Sequence, residues 1–255
     1  MTVTKADIIG ELHRLGLRET SSVLVHSSLS SFGHVAGGAA AAAEALIRTV
    51  DEGNLMVPTL TGTAQDGPDC PPVFDVRTSP GWTGVIPELI RQDPRAVRSL
   101  HPTHSAAVIG RDAEYLTSGH ENGESPCDRH SPYYKNALLD GYILLIGVGQ
   151  NCNTTIHCCE ELAEVPYHLQ KQVTVMEARN RNGQNVIIRN RLHDWKRPLT
   201  DFEYLEPLLV QHGILRRGQA GSAALRLIRA RQMIEFCTDL LRRQPDFFMI
   251  KKDKE

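Results

Sequence analysis

Tyr142-Ile-Leu-Leu-Ile146 runs directly into Gly147-Val-Gly-Gln-Asn-Cys-Asn-Thr-Thr-Ile-His157-Cys-Cys-Glu160. The first five residues are an apolar run behind the turn signal Asp140-Gly141, which predicts a buried strand. A strand that ends in a glycine-rich turn and passes into a helix is where α/β proteins place their chemistry. Thr154 or Asn153 can cap that helix. His157 then falls in its first turn, with Glu160 one turn later on the same face. The positive end of the helix dipole disfavours imidazolium there, and a neutral imidazole is the form a general base requires. The segment points to an enzyme.

Working outward, Ile8, Ile9, Leu12 and Leu15 recur at helical spacing and predict a helix over 5–15. Strand 22–26, loop 27–38 and an alanine-rich helix 39–50 follow, and Gly53 stops that helix ahead of strand 55–58. Residues 61–82 are rich in glycine and proline and predict a long functional loop. Helix 84–91, strands 97–100 and 105–110, helix 111–117 and a second polar loop 119–133 come next. Strand 142–147 and helix 154–164 lead to a hairpin, 173–178 with 185–190, around Asn182-Gly183. Helices 202–211 and 222–243, with a short strand 213–216 between them, close the pattern. Alternating strands and helices plus one hairpin predict an α/β fold with a mixed sheet.

The 255 residues carry no linker between halves and no internal repeat, so one domain over 1–255 is expected. A content of 41% hydrophobic and 23% charged residues is that of an ordinary globular protein. No apolar run reaches the ~18 residues of a membrane span. The opening Met1-Thr-Val-Thr-Lys-Ala-Asp does not read as a signal peptide. A cytoplasmic monomer or homodimer is therefore expected. The net charge of −2 argues against a generally basic nucleic-acid surface. Arg226, Arg229, Arg231, Arg242 and Arg243 read as a solvated helix face, with phosphate contact as the alternative.

The six cysteines (70, 127, 152, 158, 159, 237) are too few and too irregular for a disulfide scaffold. Cys152, His157, Cys158 and Cys159 offer zinc donors. Adjacent helical residues point about 100° apart, however, which separates Cys158 from Cys159. No metal is expected, and small buried side chains beside a functional histidine are the better reading.

Four stretches in order resemble the aminoglycoside 3-N-acetyltransferases. They are Val23-Leu-Val-His26-Ser27-Ser28-Leu29 with Gly33 and Gly37-Gly38; Gly53-x-Leu-Met-Val-Pro58; His101-Pro102-x-x-x-Ala106-x-x-x-Gly110; and Leu144-Leu145-Ile-Gly147-Val-Gly149 leading to Asn153-Thr154-Thr155-x-His157-x-x-Glu160. The resemblance implies a three-layer α/β sandwich, distinct from the other common acetyltransferase fold (GNAT). It also implies acetyl-CoA as co-substrate and acetylation of the 3-amino group of a 2-deoxystreptamine aminoglycoside, which gives antibiotic resistance. The runner-up is the same transfer to another small amine.

Such a transfer needs a base for the attacking nitrogen, and His157 is the candidate. Its second nitrogen needs a carboxylate. Asp194, in His193-Asp194-Trp195, is the favoured partner, with Glu160 as the other. The resemblance makes the loop at His26, Ser27, Ser28 and Leu29 a CoA contact, where Gly33, Gly37 and Gly38 allow close backbone approach. The next helix offers its N-terminus to an anion. Ser105 is a further candidate near the thioester, and His104 one that faces substrate. A polycationic substrate should meet carboxylates, so Asp66 and Asp69 in the first long loop and Glu121, Glu124 and Asp128 in the second are expected to form an acidic mouth.

Overall fold

The alternation of apolar residues between two faces builds two cores, one on each side of a single sheet. In the computed structural model, which describes residues 2–250, the chain runs β1 (Thr2–Val3), α1 (Lys5–Leu15), β2 (Ser22–Ser27), β3 (His34–Val35), α2 (Gly38–Thr49), β4 (Asn54–Pro58), β5 (Val73–Asp75), α3 (Val85–Gln92), β6 (Val97–Arg98) and β7 (Ala106–Gly110). It continues through α4 (Ala113–Thr117), α5 (Pro132–Leu138), β8 (Tyr142–Ile146), α6 (Thr155–Leu162), β9 (Thr174–Arg179), β10 (Asn185–Asn190), α7 (Leu205–Gln211), β11 (Leu215–Ala220), β12 (Ala223–Arg229) and α8 (Ala230–Arg243).

Seven strands pair in the order β11-β12-β8-β2-β4-β7-β6. The central three, β8, β2 and β4, are mutually parallel, and the outer pairings are antiparallel. Val23 and Val25 join α1, α2 and α3 in one core. Leu24, between them, points into the other core with α4, α5, α6, α7 and α8. Period-two side chains thus feed both layers of a three-layer sandwich. The parallel strands bring Ser27, Pro58 and Ile146 to one edge, where open α/β sheets bind ligands.

Three elements differ from the sequence expectation. Residues 223–229, read there as the start of a long helix, are strand β12, which forms a two-residue hairpin with β11 at Gly221-Ser222. Ala223, Leu225 and Leu227 are buried while Ala224 is exposed and Arg226 half-buried, a period of two that a short apolar stretch does not distinguish from a helix turn. Arg226 consequently leaves the expected helix face; it pairs with Glu206 at 2.5 Å. Helix α5 emerges from the end of the second loop, where Ser131 caps Tyr134 N and Pro132 occupies the first turn. The first long loop contributes β5, which pairs parallel with β9 and extends the predicted hairpin into a three-stranded sheet over its own small core.

Gly53 and Gly147 are set by close approach. A Cβ on Gly53 would overlap the Ser21 carbonyl. Gly147 has φ +64°, and a Cβ there would overlap Ser31 Oγ, so only glycine lets the turn after β8 meet the loop after β2.

Candidate active site

Strand β8 delivers the turn 147–153 to the ligand edge of the sheet, and Asn153 Oδ1 accepts the Thr155 N–H at 3.2 Å to start α6. Asn153 is therefore the cap, and Thr154 makes no side-chain cap bond. The ring of His157 lines a cavity of about 540 Å³ with His26, Ser27, Trp82, His104, His193 and Phe202. Its Nδ1 lies 2.7 Å from Glu160 Oε2 on the next turn. Glu160 is fully buried and also receives Arg197 Nη1 at 3.1 Å on Oε1, while His168 Nδ1 is 3.1 Å from Oε2.

Burial opposes charge on Glu160. Charge interaction with His168, the hydrogen bond and charge of His157, and Arg197 together outweigh that cost and hold its carboxyl down to about 2. His168 is itself pushed down to about 3 by burial. At neutral pH the permanent cation beside Glu160 is therefore Arg197. Adjacent Glu161 goes the other way: burial raises it well above the usual carboxylate range, although Ser125 Oγ and Cys127 N both donate to it. Glu161 Oε1 lies 3.0 Å from His193 Nε2. Two consecutive carboxyls thus support two histidines from opposite protonation tendencies.

Four imidazoles meet here from distant segments. The rings of His157 and His168 stack at 5.0 Å, His168 and His193 are 4.1 Å apart, and His193 and His104 are 4.3 Å apart. An isolated antiparallel bridge, Leu169 to His193, and the Asp194 N–H to the His168 carbonyl at 2.8 Å hold two of these segments together. Burial, reinforced by neighbouring imidazoles, pushes His104 and His193 well below the ordinary histidine range. Ring nitrogens of His157, His168 and His193 lie within 4.8 Å of one another, as do donors of His104, Cys127 and His193. These sets, rather than Cys152, Cys158 and Cys159, bring donor atoms of a kind that binds metals close together. Arg197 Nη1, 3.0 Å from His168 Nδ1, places a positive charge against the first set.

The expected residues fall into three groups. His157, Glu160, His26 and His104 come together at the cavity. Ser27, Ser28, Leu29, Gly33, Gly37 and Gly38 line a second, more open cavity of about 780 Å³, and Ser27 lines both. Asp194 reaches the first cavity, but its carboxylate accepts the Lys196 N–H at 2.9 Å. The contact to His157 belongs to Glu160, which one helix turn holds in place. Ser105 lies beneath the cavity floor: it is fully buried and its Oγ is bonded to Thr59 and Arg98.

The acidic mouth does not assemble. Asp66 caps Thr63, Asp69 is exposed, and Glu121 lines a separate small cavity beside Arg181. Asp128 accepts the Glu124 and His130 N–H groups within its own loop. Asp66 and Asp128 satisfy turn amides, the use to which short acidic side chains are put in loops. Among the described residues, Asp194 is the one carboxylate lining the main cavity. The wall the sequence did not reveal is the segment 193–202, which adds Trp195, Arg197, Leu199, Thr200 and Phe202. His193-Asp194-Trp195 does reach the site, through the ring of His193 and the indole.

The comparisons with known proteins agree with this geometry. The family model for aminoglycoside 3-N-acetyltransferases matches residues 24–242. Aminoglycoside N(3)-acetyltransferase IV of Salmonella sp is 32% identical over 250 residues, covering 96% of this chain and 90% of that protein. The crystal structure of aminoglycoside acetyltransferase AAC(3)-Xa aligns with TM-score 0.82 at 29% identity, over 95% of this chain and 93% of that one. That of AAC-VIa bound to sisomicin aligns with TM-score 0.80 at 26% identity, over 96% and 99%. The mixed-sheet sandwich is the architecture of these enzymes, not the GNAT fold. The chain belongs to the aminoglycoside 3-N-acetyltransferase family and is an acyltransferase.

Proposed function

We propose that this protein transfers the acetyl group of acetyl-CoA to the 3-amino group of 2-deoxystreptamine aminoglycosides, with His157 as general base oriented by Glu160. The observation that carries the reading is the 2.7 Å contact between His157 Nδ1 and buried Glu160, which leaves Nε2 as the working nitrogen of a ring on the cavity wall. The charged carboxylate fixes the tautomer and steadies the imidazolium that forms.

The second cavity supplies the thioester. The N-termini of α2 and α3 both open onto it, and neither has a side-chain cap. Their free N–H groups suit a pyrophosphate. Gly37 and Gly38 (φ +83° and +62°) let the backbone turn towards such a ligand without a Cβ in the way. Ser27 lines both cavities, which supports a path for the acetyl group from one to the other.

In the reaction the neutral amine attacks the thioester carbonyl, forming the C–N bond. His157 Nε2 takes the nitrogen's proton as the C–S bond breaks. CoA leaves as a thiolate and is then protonated. Both substrates are present together, so no acyl-enzyme is needed. Burial of the neighbouring imidazoles keeps extra positive charge away from the base. Acetyl-CoA as donor makes the cytoplasm the site of action. Acetylation removes a cation that would otherwise hold the drug to RNA phosphates, and resistance follows.

Thiol release from acetyl-CoA with a panel of aminoglycosides tests this reading. Release should depend on the drug and fall about 10²–10⁴-fold in His157→Ala. No release with any drug, despite CoA binding, would overturn it. A second reading, transfer to another small amine, draws on the single carboxylate of the main cavity; it predicts release with small amines and none with aminoglycosides.

A further inference from the structure

A polycationic substrate needs something to hold its ammonium groups, and the main cavity offers one carboxylate, Asp194. It does offer the chain's two tryptophans, Trp82 and Trp195. They come from separate parts of the chain, one just ahead of α3 and the other just beyond β10, yet both line the cavity that contains His157. Large aromatic side chains are ordinarily covered, whereas these are 57% and 52% exposed.

Trp82 is fixed twice to the cavity rim. Its backbone N–H donates to the Leu60 carbonyl at 3.0 Å, and its indole Nε1–H donates to the Gly62 carbonyl at 3.0 Å. The indole's one polar atom is thereby satisfied by protein, so a ligand meets the apolar ring. Trp195 rides on a turn in which Asp194 Oδ1 accepts the Lys196 N–H and the Asp194 carbonyl accepts the Arg197 N–H at 3.2 Å. That turn is anchored to the histidine cluster through the Asp194 N–H. Trp195 makes no side-chain hydrogen bond among the described residues. Leu60, Pro198 and Leu199 extend the apolar wall.

We propose that Trp82 and Trp195 are the specificity-determining residues for the acceptor: their ring faces hold its ammonium groups, in place of the acidic mouth that the loop aspartates and glutamates do not form. The assignment rests on the aminoglycoside reading above and names how that substrate is gripped. The face of an indole is the best aromatic partner for a cation. The apolar faces of the sugar rings pack on the same surface. Because the grip is on ammonium groups other than the reacting amine, it is the same in the ground state and the transition state, and it sets KM rather than kcat.

The two-tryptophan composition makes the test specific, since all indole emission comes from this cavity. Wild type, Trp82→Leu, Trp195→Leu, Trp82→Phe and Trp195→Phe are compared in thiol release and in fluorescence titrations with gentamicin, neamine and glucose. Each leucine variant should raise the aminoglycoside KM about 10-fold. Its kcat and acetyl-CoA KM should stay within about twofold, and the phenylalanine variants should recover most of the loss. Each remaining tryptophan should change its emission on drug binding and not with glucose. Leucine variants with unchanged aminoglycoside KM, or emission that drug saturation leaves unaltered, overturn the proposal. Wild-type protein that transfers no acetyl group but whose emission still responds to drug sinks the reaction and upholds the ammonium grip; silence in both assays removes both.

Discussion

Acid should destabilise this protein strongly by pH 5, because it buries neutral histidines that water would protonate. His26, His120 and His168 are essentially solvent-free. Burial pushes them down to about 3, 4 and 3 from an unfolded value near 6.5. In the unfolded chain each binds a proton as the pH falls through 6.5, and in the folded chain none does until pH 3–4. The unfolded state therefore holds more protons in that window, and stability present above pH 6.5 is lost as the pH falls. At pH 5 the linkage is about 2 kcal/mol per histidine, or about 6 kcal/mol for the three. His101, His104 and His193 shift in the same direction and add to it, while Glu161, raised by burial, works against it by holding in the folded state a proton that the unfolded chain releases above about 4.5. The depressed Glu160 contributes its loss later, as the pH drops from about 4.5 towards 2. Since a folded domain has roughly 5–15 kcal/mol in total, this penalty is a large share. Urea unfolding followed by circular dichroism at pH 8, 6 and 5 measures it. An unfolding free energy at pH 5 within about 1 kcal/mol of that at pH 8 would show that these imidazoles are charged or wet in the native state, and would refute the reasoning.

Glu160→Gln should lower kcat about 100-fold while the acetyl-CoA KM stays within about twofold, because the amide cannot serve His157 and Arg197 together. The same change leaves Arg197 short of its carboxylate and should cost about 3 kcal/mol in urea unfolding; a kcat within threefold of wild type would strip Glu160 of its positioning part. Arg98 is a buried guanidinium with no carboxylate partner among the described residues, bonded to the Thr59 and Ser79 carbonyls and to the Ser105 hydroxyl, with its charge 4.7 Å above the Phe74 ring. Arg98→Met strands those acceptors and should destabilise by about 3 kcal/mol; a change below about 1 kcal/mol would mean that water replaces the network. Gly53→Ala should lose about 1–3 kcal/mol through collision with the Ser21 carbonyl. By contrast Gly10→Ala, with ordinary clearance inside α1, should gain about 0.5–1 kcal/mol. Thermal melts of the pair would separate crowding from backbone entropy.

What neighbours in sequence can build, the sequence determined. The alternation Val23-Leu24-Val25 specifies a strand buried on both faces. The apolar spacing of 5–15 specifies α1, which spans Lys5–Leu15. His157 and Glu160 meet because three residues make nearly one helical turn. The loop 27–38 could be read as one ligand surface because its members are close along the chain, and they do share one cavity. Sequence pattern failed where two periods compete over a short stretch, as at β12, and where a strand needs a partner from elsewhere, as β5 needs β9.

Tertiary structure alone decided the company His157 keeps. His104, His168 and the pair His193 and Arg197 arrive from three separate segments, and nothing in the local pattern of one segment marks it as a neighbour of the others. It also put Glu160, one helix turn away, rather than Asp194 against His157 Nδ1. The expected acidic mouth dissolved for a related reason: a loop carboxylate bonds the nearest free N–H, and only the folded path of the loop says which one that is. Local periodicity is written into covalent spacing, whereas convergence depends on how two cores pack around one sheet.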